Sequence, residues 1–410
     1  MAGSPANTVE SLYIHVPFCA QKCAYCAFYS EPSSGHLINR YVAALIRELE
    51  IVADDLKPKT IFFGGGPPSL LNLRQWEKIL SAMERLHLLG VEEFTVECNP
   101  ATVSTDKAKL LRDFGVNRVS MGVQSLDGSL LDRLGRIHTR EMVFKSFDIL
   151  RKAGFDNLNL DLMFAIPGQT QNVWRGTLAE ALALGSEHLS TYEVIYEDDT
   201  PLFTQLKAGK FDVDEDLSCA MYEELVARAT AAGFRQYEVA NFARGSRSNK
   251  STVQSPQSAP DNDPTVDCGL WTADIPSLAC KHNVNYWRGG SFYGLGPSAT
   301  SYVRGVRTKN WSNTPLYCEQ LEKGKRAIES SEELPPLKRA GETAAFGLRM
   351  NAGWPFEEFR RTTGFDLRGG WSAEMNQLVE RGWAARDAQQ FRLTSQGLRF
   401  ADSAAELFLR

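Results

Sequence analysis

Three cysteines set the chemistry open to this chain. Cys19, Cys23 and Cys26 stand in C-x3-C-x2-C spacing on one short segment, directly after the apolar run Leu12-Tyr13-Ile14-His15-Val16. Thiolates this close can converge on one inorganic centre, and soft sulfur selects zinc or an iron-sulfur cluster over hard cations. A structural zinc site asks for four protein ligands, whereas a cubane held by three cysteines keeps one iron open. No fourth cysteine follows at short spacing, because Ala27 and Phe28 come next. Zinc would have to recruit His15 or Cys98 from elsewhere, and a disulfide plus one free thiol is the plainest alternative.

Positioning such a loop requires a scaffold, and the hydrophobic pattern supplies one. Short β-rich runs alternate with segments of helical periodicity. The runs are Leu12 to Val16, Thr60 to Phe63, Phe94 to Glu97, Arg118 to Met121, Leu158 to Leu162 and His188 to Val194. Between them, helical spacing covers Tyr41 to Leu49, Gln75 to Leu86, Thr105 to Phe114, Glu141 to Ala153 and Val173 to Leu184. Such a series implies an α/β fold with a parallel sheet and right-handed crossovers, wound as a partial (β/α)6 barrel, with a twofold-wound open sheet as the alternative. In either fold the chemistry belongs at the carboxyl ends of the strands. That rule collects one site from the cysteine loop, the glycines Gly64 to Gly66, Glu97, Gln124 and Asp161. A glycine triplet lets backbone approach a ligand closely. Carboxylates and an amide on one rim suit a ligand with an amine, a ribose and a base. Taken one at a time, Glu97 reads equally well as a helix cap, Asp161 as a turn residue and Gln124 as surface.

Composition narrows the class. The 410 residues are 43% hydrophobic and 23% charged, with a formal net charge of -5, which leaves no basic excess for nucleic acid. No apolar run reaches membrane-spanning length and the first residues carry no targeting pattern. Eight cysteines, three of them in one loop, suit a reducing compartment, so a cytoplasmic location is expected.

Several motifs resemble the radical S-adenosylmethionine superfamily, and within it the branch of oxygen-independent coproporphyrinogen III oxidase and its heme-chaperone relatives. They are Tyr13-Ile14-His15-Val16-Pro17-Phe18-Cys19 with the two later cysteines, Gly64-Gly65-Gly66-Pro67-Pro68-Ser69, Glu97-Cys98-Asn99-Pro100, Gly122-Val123-Gln124-Ser125, Gly135-Arg136-Ile137-His138 and Asn159-Leu160-Asp161-Leu162-Met163. The resemblance implies a 4Fe-4S cluster on Cys19, Cys23 and Cys26. It implies a site for S-adenosylmethionine lined by Tyr13, Tyr25, Gly65, Gly66, Pro67, Glu97, Gln124, Arg136 and Asp161. It assigns no catalytic acid or base. Pro67 stands where threonine is usual, which removes a hydroxyl and a backbone N–H.

Two features separate members of that branch. The oxidase carries a fourth cysteine where this chain has Phe28, while His282-Asn283-Val284-Asn285-Tyr286-Trp287 resembles the H-N-x-x-Y-W motif tied to heme in the chaperones. Imidazole is a common axial ligand, and Tyr286 and Trp287 offer apolar faces to a porphyrin; a satisfied core histidine with two packing aromatics is the alternative. Lying after the sixth βα unit, the motif is expected to close over the strand ends at the barrel mouth, with Cys280 or Cys268 next in line as ligand. Thr300 stands where many members have histidine.

The implied function is heme chaperoning, with transfer to an acceptor protein and an electron donor for the cluster; oxidative decarboxylation of a porphyrinogen is the enzymatic alternative. The expected organisation is a barrel over 1–243, a flexible insertion over 244–280 rich in Ser, Pro, Asn and Asp, a barrel extension carrying the motif over 281–331, and a helical unit over 332–410. In that last unit, Lys338 to Leu348, Phe356 to Thr363 and Ser372 to Arg381 have helical spacing, and Ala384 to Leu393 resembles a hairpin, which together look like a winged-helix module serving as a lid or partner surface.

Overall fold

The computed structural model describes residues 8–32, 34–245 and 275–410. Most of the expected insertion, with Cys268, lies outside the described residues.

Six strands and their crossover helices form in the expected order. They are β1 (Val9–Val16), α1 (Gly35–Val52), β2 (Leu56–Gly65), α2 (Leu73–Arg85), β3 (Glu93–Cys98), α3 (Thr105–Asp113), β4 (Arg118–Gln124), α4 (Gly128–Leu134), α5 (Arg140–Lys152), β5 (Leu158–Phe164), α6 (Gln171–Ala183) and β6 (His188–Glu193). The starts of α2 to α6 are each capped by a nearby side chain. Asn72 and Gln75 make a reciprocal capping box on α2, while Ser104, Asp127, Thr139 and Thr170 accept the N-terminal N–H groups of α3, α4, α5 and α6. Short α4, the added helices α7 (Pro201–Lys207) and α8 (Glu215–Ala231), and the two-strand excursion β7 (Arg235–Gln236) and β8 (Asn241–Ala243) have no counterpart in the expected pattern.

Neighbouring strands β1 through β6 pair in parallel and in sequence, without the reversal that twofold winding produces. A further parallel strand, β9 (Tyr293–Leu295), follows helix α9 (Lys281–Trp287) and joins the outer side of β1. At the far edge β8 and β7 add antiparallel, giving the order β9-β1-β2-β3-β4-β5-β6-β8-β7 in one nine-stranded sheet that does not close.

Period-two alternation gives this sheet two unlike faces. One face presents Leu12, Ile14, Ile61, Phe63, Phe94, Val96, Leu158, Leu160 and Leu162 to the helices in a single core. The other carries Tyr13, His15, Thr60, Phe62, Glu93, Thr95, Glu97, Arg118, Ser120, Asn159, Asp161, His188 and Ser190. Register sets these polar residues in rows, with Glu97 beside Ser120, Ser120 beside Asn159, and Asn159 beside His188.

After a three-stranded sheet of β10 (Thr300–Val303), β11 (Val306–Asn310) and β12 (Ile328–Glu333), with α10 (Thr314–Glu322) between the last two, a second core begins. Helices α11 (Pro336–Gly347), α12 (Phe356–Thr363), α13 (Leu367–Gly370) and α14 (Ser372–Glu380) pack there with a small sheet of β13 (Trp354–Pro355), β14 (Ala384–Arg386) and β15 (Gln390–Leu393). The hairpin turn is pinned by Asp387, whose carboxylate accepts from the N–H groups of Gln389 and Gln390 at 2.7 and 2.9 Å. Trp354 and Trp371 are fully buried, their indole N–H groups donating to Ala344 O and Phe408 O.

Candidate functional site

The cysteine loop leaves the carboxyl end of β1 and returns where Phe18 and Cys19 pair with Glu31 and Pro32. It is held from below by α4 and α7. Ala24 N donates to Leu134 O at 2.9 Å, Leu202 N donates to Ala24 O at 3.0 Å, and Gln21 reaches Gly135 O at 3.3 Å. Cys19, Cys23 and Cys26 are free, partly exposed thiols. Burial pushes the Cys19 and Cys26 thiols up. Arg136 sits behind them, donating to Cys23 Sγ at 3.4 Å and to Gly122 O at 2.6 Å. Its Nε is buried with no partner among the described residues. Tyr25 packs in the same corner, beside Arg136, Cys23 and Cys26. An open depression lies over this shoulder, lined by Cys19, Cys23, Pro67, Asn99, Thr102 and Arg136 among others.

The glycines at the end of β2 are glycines first because of protein neighbours. A Cβ on Gly65, whose φ is +100°, would stand 2.5 Å from the His15 imidazole, and one on Gly66 would run into the Phe18 backbone. Only Gly64 faces the polar rim, where a Cβ would stand 3.1 Å from the Glu97 carboxyl. The expectation that the triplet opens room for a ligand is therefore narrowed: Gly65 and Gly66 let the cysteine loop and His15 close onto β2. Pro67 starts a single 3-10 turn, its carbonyl accepting from Leu70 N at 2.9 Å. Tyr13 and His15, two residues apart on β1, bond through Tyr13 OH and His15 Nδ1 at 3.0 Å. Gln124 ends β4 at φ +64°, a left-handed backbone that non-glycine residues rarely adopt, at a break in the β4–β5 register.

Glu97 and Asp161 share the polar face with few counter-charges. Burial, reinforced by the Asp161 carboxylate, pushes Glu97 up to about 8. Burial raises Asp161 too, opposed by hydrogen bonds from Ser120 and Asn159. The stability consequence has a definite sign. Between the ordinary 4.5 and about 8 the unfolded chain has released the Glu97 proton and the folded chain still holds it, so stability falls as pH rises through that window. Replacing Glu97 by Gln is expected to flatten this part of the thermal-midpoint profile of the ligand-free protein, by on the order of 1–3 kcal/mol between pH 5 and 8. Superimposable wild-type and variant profiles would show that Glu97 ionises normally.

The motif helix lies at the opposite end of the sheet from the cysteine loop. Glu93, the first residue of β3, accepts from the backbone N–H groups of Lys281 and His282 at 2.9 and 3.0 Å and so caps α9 at the amino ends of the strands. This corrects the expected position at the carboxyl rim: a carboxylate at the start of β3 captures the helix N-terminus. His282 is 0% exposed. Its Nδ1 bonds Thr60 Oγ1 at 2.9 Å, its Nε2 bonds Tyr286 OH at 2.7 Å, and its ring stacks on Phe62. Both ring nitrogens are occupied, so in this conformation the core-packing alternative describes His282. Burial, with the Arg118 charge adding to it, pushes His282 down to about 3. Trp287 packs beside Tyr237, and Cys280 is buried with its thiol 3.5 Å from Glu93.

Sequence reasoning passed over Ser120, Asn159, His188 and Tyr237, which bond in one buried group with Asp161. The available signal was polar alternation along β4 to β6, read one strand at a time instead of across the register.

Comparison with known proteins follows the same division. The family model described as the Radical SAM superfamily matches residues 13–181, and the one described as the HemN C-terminal domain matches residues 334–400. The heme chaperone HemW of Lactococcus lactis is 32% identical over 402 residues, covering 98% of this chain and 97% of that protein. The heme chaperone HemW of Bacillus subtilis is 31% identical over 395 residues, covering 95% and 96%. The mitochondrial radical S-adenosyl methionine domain-containing protein 1 of Bos taurus is 30% identical over 431 residues, covering 98% and 87%. Among solved structures, the coproporphyrinogen III oxidase HemN of Escherichia coli superposes with a TM-score of 0.79 at 20% identity, covering 98% of this chain and 91% of that one, a likeness of fold.

Proposed function

This chain belongs to the heme chaperone HemW family of the radical S-adenosylmethionine superfamily, and from that premise we propose that it binds heme and passes it to an acceptor protein. Cys19, Cys23 and Cys26 hold a 4Fe-4S cluster, with S-adenosylmethionine beside it in contact with Tyr13, Tyr25, Pro67, Glu97, Gln124, Arg136 and Asp161 and with the backbone alone of Gly65 and Gly66, whose Cα hydrogens face His15 and Phe18. The residues fit such a group. Three free soft donors stand on one loop, and the buried Arg136 Nε behind them still lacks a partner among the described residues. When bound, the cluster supplies one electron for cleavage of a carbon–sulfur bond in S-adenosylmethionine. The chain contributes a cation at Cys23 through Arg136, and Glu97 and Asp161 for the polar parts of the ligand.

The observation that carries the chaperone reading over the oxidase is similarity to HemW proteins along nearly the whole chain. Phe28, 69% exposed where the oxidase resemblance calls for a fourth cysteine, agrees with it. Heme engages α9 through His282, Tyr286 and Trp287, which requires the bonds from His282 to Thr60 and Tyr286 to open. An electron donor reduces the cluster, and the protein works in the cytoplasm. Among the described residues no helix is long and apolar enough to cross a membrane. The proposed organisation of the chain is a barrel over 1–243, an insertion over 244–280, an extension over 281–331 and a C-terminal helical unit over 332–410.

Anaerobically reconstituted protein tests this. Stoichiometric heme uptake, transfer to an apo-hemoprotein and no multiple turnover of coproporphyrinogen III are expected; repeated turnovers yielding the vinyl product would establish the oxidase instead. In the same titration His282→Ala is expected to weaken heme binding by about tenfold or shift the Soret band, and Trp287→Ala to speed heme loss. An unchanged spectrum and affinity for His282→Ala would move the ligand to another residue, Cys280 first.

A further inference from the structure

A chain of buried hydrogen bonds runs from the proposed cofactor face to the start of the motif helix, and the donor at every link follows from chemistry. Asp161 Oδ1 accepts from Asn159 Nδ2 at 2.7 Å, and the same nitrogen donates to Ser120 Oγ at 2.7 Å. With its amide nitrogen committed to these two acceptors, Asn159 turns its oxygen to His188 Nδ1 at 2.6 Å. An amide oxygen only accepts, so the His188 proton sits on Nδ1. Burial, with the Arg118 charge adding to it, keeps the ring neutral, which makes Nε2 an acceptor. Tyr237 OH, 2.8 Å away, therefore donates to Nε2, and its oxygen accepts the Cys280 N–H at 3.1 Å. Cys280 is the residue that enters α9. Asn159, His188, Tyr237 and Cys280 are all nearly or wholly inaccessible to solvent.

We propose that Asn159, His188 and Tyr237 are positioning residues through which a ligand on Asp161 loosens helix α9. The inference rests on the reading that S-adenosylmethionine draws on Asp161. The negative carboxylate at one end polarises each successive donor in the same direction, so the chain holds Cys280 more firmly than separate bonds would. A ligand that donates to Asp161 competes with Asn159 and Ser120, and the loss passes along the same links. The entry to α9 then relaxes, and with it the enclosure in which Thr60 and Tyr286 occupy both nitrogens of His282. The C-terminal unit lies on the same path: Asn351 N donates to Tyr237 O at 3.1 Å, and Arg288, just past α9, donates to Gly353 O at 2.7 Å.

Hydrogen exchange of residues 280–287 in the cluster-loaded, heme-free protein tests the coupling, with S-adenosylmethionine binding measured on the same samples by equilibrium dialysis. Saturating S-adenosylmethionine is expected to speed exchange of these amides about fivefold or more. Tyr237→Phe is expected to exchange fast without the ligand, to bind it still, and to show no further response. Binding with unchanged exchange in the unaltered protein overturns the inference whatever the variant does, and so does a full response in Tyr237→Phe. Failure of the unaltered, cluster-loaded protein to bind S-adenosylmethionine would instead overturn the proposed S-adenosylmethionine site and the inference with it.

Discussion

Replacing Cys19, Cys23 or Cys26 singly by Ser is expected to leave a folded protein that no longer takes up iron. A cubane with three protein ligands has none in reserve, and a serine hydroxyl is a hard, weakly acidic substitute for a thiolate. Iron and acid-labile sulfide after anaerobic reconstitution are expected to fall more than about tenfold for each variant, the scale on which even supporting residues act at metal sites. The fold should survive because the three side chains are partly exposed and lie outside the buried cores, so stability changes by no more than about 1 kcal/mol. Wild-type iron in any of the three variants would remove that cysteine from the ligand set. Stoichiometric zinc without iron, after reconstitution of the unaltered protein with both metals, would reinstate the zinc alternative.

Gly65→Ala is expected to cost about 2–6 kcal/mol, combining a left-handed backbone of about 1–3 kcal/mol with overpacking of similar size. The new methyl would stand 2.5 Å from an imidazole that cannot swing aside freely, since His15 is tied to Tyr13 OH and to Tyr29 O, each at 3.0 Å. Chemical denaturation reads the loss. Adding His15→Ala removes the obstructing ring, so the pair should be less destabilised than the sum of the single changes. A Gly65→Ala protein as stable as wild type would show that β2 and the cysteine loop part easily. Strict additivity would leave the backbone angle as the sole constraint.

Much of the scaffold was legible because its signals are local. Apolar runs such as Leu12 to Val16 and Leu158 to Leu162 mark parallel strands by themselves, and helical spacing between them marks the crossovers, so β1 to β6 follow from short windows of sequence. Glu97 and Gln124 stand where one further rule expected them, at the carboxyl ends of β3 and β4, whereas Asp161, expected at the end of its strand, sits at the middle of β5 because that strand runs on to Phe164. The motif around His282 obeys no such rule. Its place depends on partners far away along the chain, Thr60 being 222 residues distant and Glu93 being 189.

The sequence by itself therefore determined the order of the six parallel strands and their main crossover helices, the three thiols on one loop and the C-terminal hairpin, all set by side-chain periodicity and turn chemistry over a few residues. Only the tertiary structure decided that α9 sits at the amino end of the sheet, that Gly65 and Gly66 serve His15 and Phe18, and that Asn159, His188 and Tyr237 join Asp161 to the motif helix. The physical reason is that a buried polar group must find a partner wherever the folded chain supplies one. That partner is set by strand register and by helix capture, and neither is written in any short stretch of the sequence.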